Sequence, residues 1–139
     1  MAVENFNFQI HTKGYTDIID ISNEVFECLR ESRIKNGNVL VFVAGATSGI
    51  TTIEYESGCL QDLKEYFERV APMDIEYAHN LRWGDGNGFS HVRAALMKSS
   101  FTFPIIDANP ILGTWQQLVL VDFDNRSRQR EVVVQVMGE

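Results

Sequence analysis

Two of the three histidines, His79 and His91, bracket the stretch RWGDGNGFSH at residues 82–91, which holds three glycines, an aspartate and an asparagine. The imidazoles lie twelve positions apart and share a site only if the intervening loop folds back. With Asp85 they make two nitrogen donors and a carboxylate, a set suited to a divalent metal, zinc or, for a more oxygen-rich site, magnesium. The same three side chains are the candidate catalytic residues. Gly84, Gly86 and Gly88 permit positive φ and let backbone amides approach a ligand closely. Gly86 and Asn87, leading into a helix capped by Ser90, are therefore a candidate phosphate cradle, although a plain surface turn has the same composition. No Gly-Lys-Ser/Thr follows, so the stretch is not a Walker loop.

Two further polar clusters stand at element ends. GATSGITTIE at residues 45–54 supplies the Thr47 and Ser48 hydroxyls where a buried strand stops, a usual place for binding groups and also for ordinary turn formers. LGTWQQ at residues 112–117 offers Trp115 as a stacking face beside Gln116, whose amide could read a polar ring edge; a core tryptophan is the alternative. Arg126, Arg128, Arg130 and Glu131 read as a solvated hairpin edge. No serine has a nucleophile-elbow context, which disfavours a Ser-His-Asp triad.

These residues need a frame. FNFQI and YTDIIDI alternate as strands around a turn at Lys13-Gly14, an opening hairpin that carries His11. Ser22 is positioned to cap a helix with the stripe Val25, Phe26 and Leu29, and VLVFVA reads as a buried central strand. A short ITTIE segment precedes a second helix marked by Leu60, Leu63, Phe67 and Val70 and closed by Pro72. Residues 73–88 keep no period and read as a long functional loop. Ser90 then caps HVRAALMK, and FTFPII, GTWQQLVLVDF and REVVVQVM follow as strands, the last two joined as a hairpin by DNRSRQ. The pattern predicts one domain, residues 1–139, of class α+β: a mainly antiparallel β-sandwich or sheet with about three flanking helices. A Rossmann-type fold would keep alternating strand and helix to the end.

Composition bounds the function. With 45% hydrophobic and 22% charged residues the chain has the balance of a soluble globular domain. Its apolar runs fall short of the roughly 18 to 20 residues of a membrane span, and its start lacks the pattern of a secretory signal, so a cytoplasmic protein is expected. A net charge of −7 opposes nucleic acid and anionic membranes as partners, while leaving a local anion site open. Cys28 and Cys59 have no metal-like spacing and read as buried free thiols.

Taken together, ATSGITTIEYE, YAHN followed by GDGNGFSH, LGTWQQLVLVDFDN and REVVVQV resemble the YjbQ family across essentially the whole chain. The resemblance implies a β-sandwich-containing α+β domain assembled as a homotrimer, with sites near subunit interfaces. It also implies thiamine-phosphate synthase activity, which joins a hydroxymethylpyrimidine diphosphate to a thiazole phosphate and releases diphosphate. The family's loop and Ser-His histidines correspond to His79 and His91. Its third histidine, in a His-Thr-Ser motif, corresponds to Ala46, with Thr47 and Ser48 retained; Asp85 is then the candidate replacement ligand. The rival reading is a non-enzymatic module that binds a phosphorylated metabolite or a metal.

Overall fold

A computed structural model describes residues 1–139. The chain runs β1 (Ala2–Thr12), β2 (Asp17–Asp20), α1 (Ser22–Glu31), β3 (Gly37–Val43), β4 (Ser48–Ile53) and α2 (Ser57–Val70). It continues through α3 (Ala78–Trp83), α4 (Gly88–Met97), β5 (Ser100–Ile106), β6 (Asn109–Pro110), β7 (Gln117–Asp122) and β8 (Arg128–Gly138). The strands form a five-stranded sheet, β1-β8-β3-β5-β6, and a three-stranded sheet, β2-β7-β4, with all pairs antiparallel.

Period-two patterning explains how the layers stack. Val39, Val41 and Val43 of β3 and Val132, Val134 and Val136 of β8 meet Leu118 and Leu120 of β7 and Ile50 of β4 between the sheets, and α1 adds Val25, Cys28 and Leu29. The other face of the small sheet, Ile18, Val119 and Val121, is covered by Phe67 of α2 and Ala94 of α4. The sequence LVLV in β7 is continuous and apolar because both of its faces are buried. Each such side chain contributes about 1.5 to 3 kcal/mol on burial. The architecture is thus an antiparallel α+β sandwich with flanking helices, the class that the patterning predicts.

The connections differ from the expected ones. β1 and β2 do not form a hairpin: β1 pairs with β8 and β2 with β7, in different sheets. Gly14, Tyr15 and Thr16 take successive positive φ values of 81°, 56° and 63° and turn the chain from one sheet to the other. β7 and β8 likewise belong to different sheets, so DNRSRQ is a crossover and not a hairpin. The GTWQ segment lies outside β7 in a turn closed by Gln116 N–H donating to Gly113 O at 3.0 Å.

There are four helices where about three were expected. α3 lies inside the stretch read as a loop, and none of its residues is buried, so no apolar stripe marks it. The caps also differ. Ser22 is the first residue of α1, and its hydroxyl accepts from Leu118 N–H at 2.9 Å instead of capping. Asn87, not Ser90, stands at the cap of α4, while Ser90 donates its hydroxyl to Asn87 O at 2.5 Å within the first turn. Both cysteines are free; Cys28 is buried, whereas Cys59 is half-buried.

Candidate functional site

At one end of the sandwich the last residues of β1, β3 and β7 and the first of β4 and β8 come together under α3 and α4. The loop does fold back. His79 on α3 and His91 on α4 place their ring centroids 4.4 Å apart with planes inclined by 38°. Asp85 Oδ1 lies 3.4 Å from His79 Nδ1. These three side chains, with Ala46, Thr47 and Asn87, face a predominantly polar cavity of about 440 Å³.

Local structure explains the convergence. α3 ends where Gly84 adopts a left-handed φ of 72°, a conformation glycine reaches without the cost a side chain adds. Asn80 Oδ1 accepts from Gly88 N–H at 2.9 Å, tying α3 to the start of α4. A Cβ at Gly88 would stand 2.6 Å from Tyr77 Cβ, so this close approach requires glycine. Asn125 Nδ2 donates to Asp85 O at 2.8 Å and pins the loop between the helices. On α4, Arg93 donates to Ala71 O, Thr16 Oγ1 and Glu68 Oε2 at 2.9, 2.9 and 2.7 Å, fixing the helix that carries His91.

Below the histidines lies a buried ionic layer that the sequence pattern does not announce. Thr12, Asp122 and Asp124 are fully buried, and Thr47, Asn87 and Arg130 are nearly so. Arg130 grips Asp122 in bidentate fashion, Nε to Oδ2 at 2.8 Å and Nη2 to Oδ1 at 3.0 Å, and Nη2 also donates to Thr47 Oγ1 at 2.7 Å. Arg128 Nε donates to Asp124 Oδ2 at 2.8 Å. Buried charges held this way are paired at fixed geometry. Neither Arg128 Nη1 nor Arg130 Nη1 is spent on these carboxylates, and both arginines line the cavity.

Arg128 and Arg130 are therefore not the solvated edge expected of them; Arg126 and Glu131 are exposed as expected. A signal for them does exist in the strand phase. Arg130 is in step with Val132, Val134 and Val136 on the inward face of β8, and Asp122 closes the buried run of β7.

Electrostatics divide the cavity into donors and acceptors. Burial, and then the neighbouring His79, lowers the His91 pKa, which favours the neutral ring. Burial opposes ionisation of Asp124, but hydrogen bonds from Asn87, Asn125 and Arg128 outweigh it and hold the carboxyl below its usual range. Asn87 Nδ2 donates to Asp124 Oδ1 at 3.2 Å, which turns Asn87 Oδ1 away; that buried oxygen has no donor, and buried His79 Nδ1 likewise has no hydrogen-bond partner. Two guanidiniums balance two buried carboxylates, and Asp85 adds one negative charge.

The remaining candidates are distributed unevenly. Thr47 is in the cavity wall, bonded to Arg130 and Asp124. Ser48 is fully buried behind it with its hydroxyl unpartnered. Gly86 has a φ of 70°, and its neighbours Asp85 and Asn87, rather than Gly86 itself, face the cavity. The Gly88 amide is spent on Asn80, which removes the first amide of the expected phosphate cradle. Trp115 and Gln116 are not brought to this cavity by their own chain. They lie at the far end of the β4–β7 pair, whose register runs from Ser48–Asp122 at the site to Ile53–Gln117.

By residue type, two imidazoles and a carboxylate can ligate a divalent metal. No three His, Cys, Asp or Glu side chains of the chain stand together in an arrangement that could hold a metal ion. Ala46 brings no side-chain donor beside His79, His91 and Asp85. The unpartnered Asn87 Oδ1 and the Asp85 carboxylate belong to the same cavity wall.

No helix of the chain is long and apolar enough to cross a membrane. Comparison with known proteins agrees with this fold. The family model described as UPF0047 protein YjbQ-like matches residues 6–139. A UPF0047 protein of Methanothermobacter thermautotrophicus is 36% identical over 139 residues, covering 100% of this chain and 95% of the relative. A UPF0047 protein of Archaeoglobus fulgidus is 34% identical over 128 residues, or 92% of this chain and 97% of the relative. The crystal structure of a YbjQ-like protein of unknown function from Sulfolobus solfataricus has a TM-score of 0.90 at 28% identity, covering 99% of this chain and 100% of that one. That of an uncharacterized conserved protein of the yjbq/upf0047 family from Clostridium acetobutylicum gives 0.86 at 30% identity, covering 95% and 99%. Similar in sequence and in fold from end to end, the chain belongs to the YjbQ-like UPF0047 family.

Proposed function

We propose that the cavity binds a phosphorylated small molecule and carries out a thiamine-phosphate-synthase-like transfer. In this reaction a hydroxymethylpyrimidine diphosphate is joined to a thiazole phosphate and diphosphate is released. The observation that supports this reading best is the pair of arginines anchored on buried carboxylates, with their Nη1 ends left for a ligand beside two apposed imidazoles.

In the transfer the bond between the pyrimidine methylene and the diphosphate oxygen breaks, and its electron pair leaves with the diphosphate. The thiazole nitrogen lone pair forms the new carbon–nitrogen bond. Charge develops on the departing oxygens, where guanidiniums that cannot reorient are most effective. The ring N–H groups of His79 and His91 add donors beside them. A magnesium or zinc ion arriving with the diphosphate would neutralise part of its charge, and Asp85 and Asn87 Oδ1 would hold it. We further infer a cytoplasmic homotrimer. Exposed Trp115, Leu96 and Ile106, at 68%, 52% and 52% of their surface, supply apolar area for association.

Replacement of the third histidine by Ala46 favours a second reading, the same pocket as a non-enzymatic binding module. One pair of measurements separates them. Inorganic diphosphate at about 100 times its Kd should stabilise the protein by about 2.7 kcal/mol in thermal unfolding on either reading. Thiamine phosphate formed from the two substrates, and lost in Arg128→Ala, supports the transferase. Stabilisation without product supports the module. Absence of both overturns the phosphate reading.

A further inference from the structure

Trp83 is a large aromatic residue with 67% of its surface exposed, and it lines the histidine cavity. Its position follows from helix geometry: His79 and Trp83 are four residues apart on α3, so their side chains share one helix face. Gly84 ends the helix immediately afterwards, leaving the indole at the cavity mouth. The Arg82 guanidinium stands 5.6 Å from the indole centroid. The other groups that line this cavity are imidazole, carboxylate, amide, hydroxyl and guanidinium, with Ala46 the small exception.

Given the phosphate reading above, on which this inference rests, we propose that Trp83 stacks on a planar heteroaromatic ring carried by the ligand. Within that reading, Trp83 is the residue that distinguishes an aromatic diphosphate ester from an aliphatic one. The geometry separates two tasks. The base of the cavity, with Arg128, Arg130 and the histidines, receives the charged group, and the indole at the mouth selects what that group is attached to. Stacking tolerates many ring types because each has a π-face, so Trp83 sets a preference for aromatic over aliphatic esters.

The test uses the full chain with Trp115→Phe, which leaves Trp83 as the sole tryptophan of the two in the sequence. Three probes are titrated: inorganic diphosphate, methyl diphosphate and a pyrimidinylmethyl diphosphate. The pyrimidine ester should bind about tenfold or more tighter than the methyl ester, the gain of one stacked ring. It should also quench Trp83 fluorescence. Adding Trp83→Ala should bring the two esters to equal affinity, and Trp83→Phe should retain most of the difference. Equal affinities with Trp83 present, alongside binding of inorganic diphosphate, would overturn the stacking role and leave the phosphate reading intact. A Trp83→Ala variant that weakens all three probes alike would overturn the stacking role in the same way. No binding of any probe would overturn both.

Discussion

In the folded chain the His91 imidazole is biased towards its neutral form. Burial and the adjacent His79 lower its pKa below the ordinary 6.5. The unfolded chain therefore binds a proton at higher pH than the folded one, and stability must fall as pH drops below about 6.5 towards the lowered value. His91→Gln should flatten that part of the stability profile in denaturant titrations at several pH values. An unchanged slope would show that His91 does not titrate in this way. Asp124 contributes stability lost only at more acid pH, below the ordinary 3.8, so it affects a more acid part of the profile. Ala46 lines the cavity with both histidines, and Ala46→His should supply a third nitrogen ligand. A structural zinc site is worth roughly 10 to 16 kcal/mol over four ligands, so one imidazole should tighten zinc binding by about a hundredfold in chelator competition. Unchanged affinity would mean that residue 46 does not face the histidine pair productively. At this scale His79, His91, Asp85, Asn87 and Thr47 were legible from residue type and spacing. Arg128, Arg130 and Trp83 were not, because charge and a glycine-rich flank suggest solvent, although strand phase and the His79 spacing place them at the site.

At the scale of elements, the contact between α3 and α4 decides whether the histidines meet. Gly88→Ala would place a Cβ 2.6 Å from Tyr77 Cβ, so the two helices must separate. We expect a loss of about 1 to 3 kcal/mol in denaturant unfolding, as for overpacking elsewhere, together with weakened diphosphate binding. A fully stable variant with intact binding would show that the helix contact does not hold the site. Strands and amphipathic helices with a buried face were readable from their period. α3 was not, because it buries no residue and is held by the Asn80 side chain and the Gly84 cap. The two expected hairpins failed for a different reason. Pattern fixes which face of a strand is buried, but the strained turn at Tyr15 and Thr16 decides which sheet the next strand joins.

For the whole molecule, the proposed anion site depends on local geometry in a chain of net charge −7. Its buried Asp122 and Asp124 orient Arg128 and Arg130, and the proposed ligand is a phosphate accompanied by a cation. The homotrimer is tested by light scattering at micromolar concentration, where about three times the 15.8 kDa chain mass is expected and a monomer would remove it. The phosphate site itself is tested most directly by titration calorimetry of magnesium diphosphate. One diphosphate should bind per chain in the natural protein, binding should be lost or greatly weakened in Arg128→Ala, and His91→Ala should weaken it. No binding to the natural chain, or binding indifferent to both substitutions, would contradict the account.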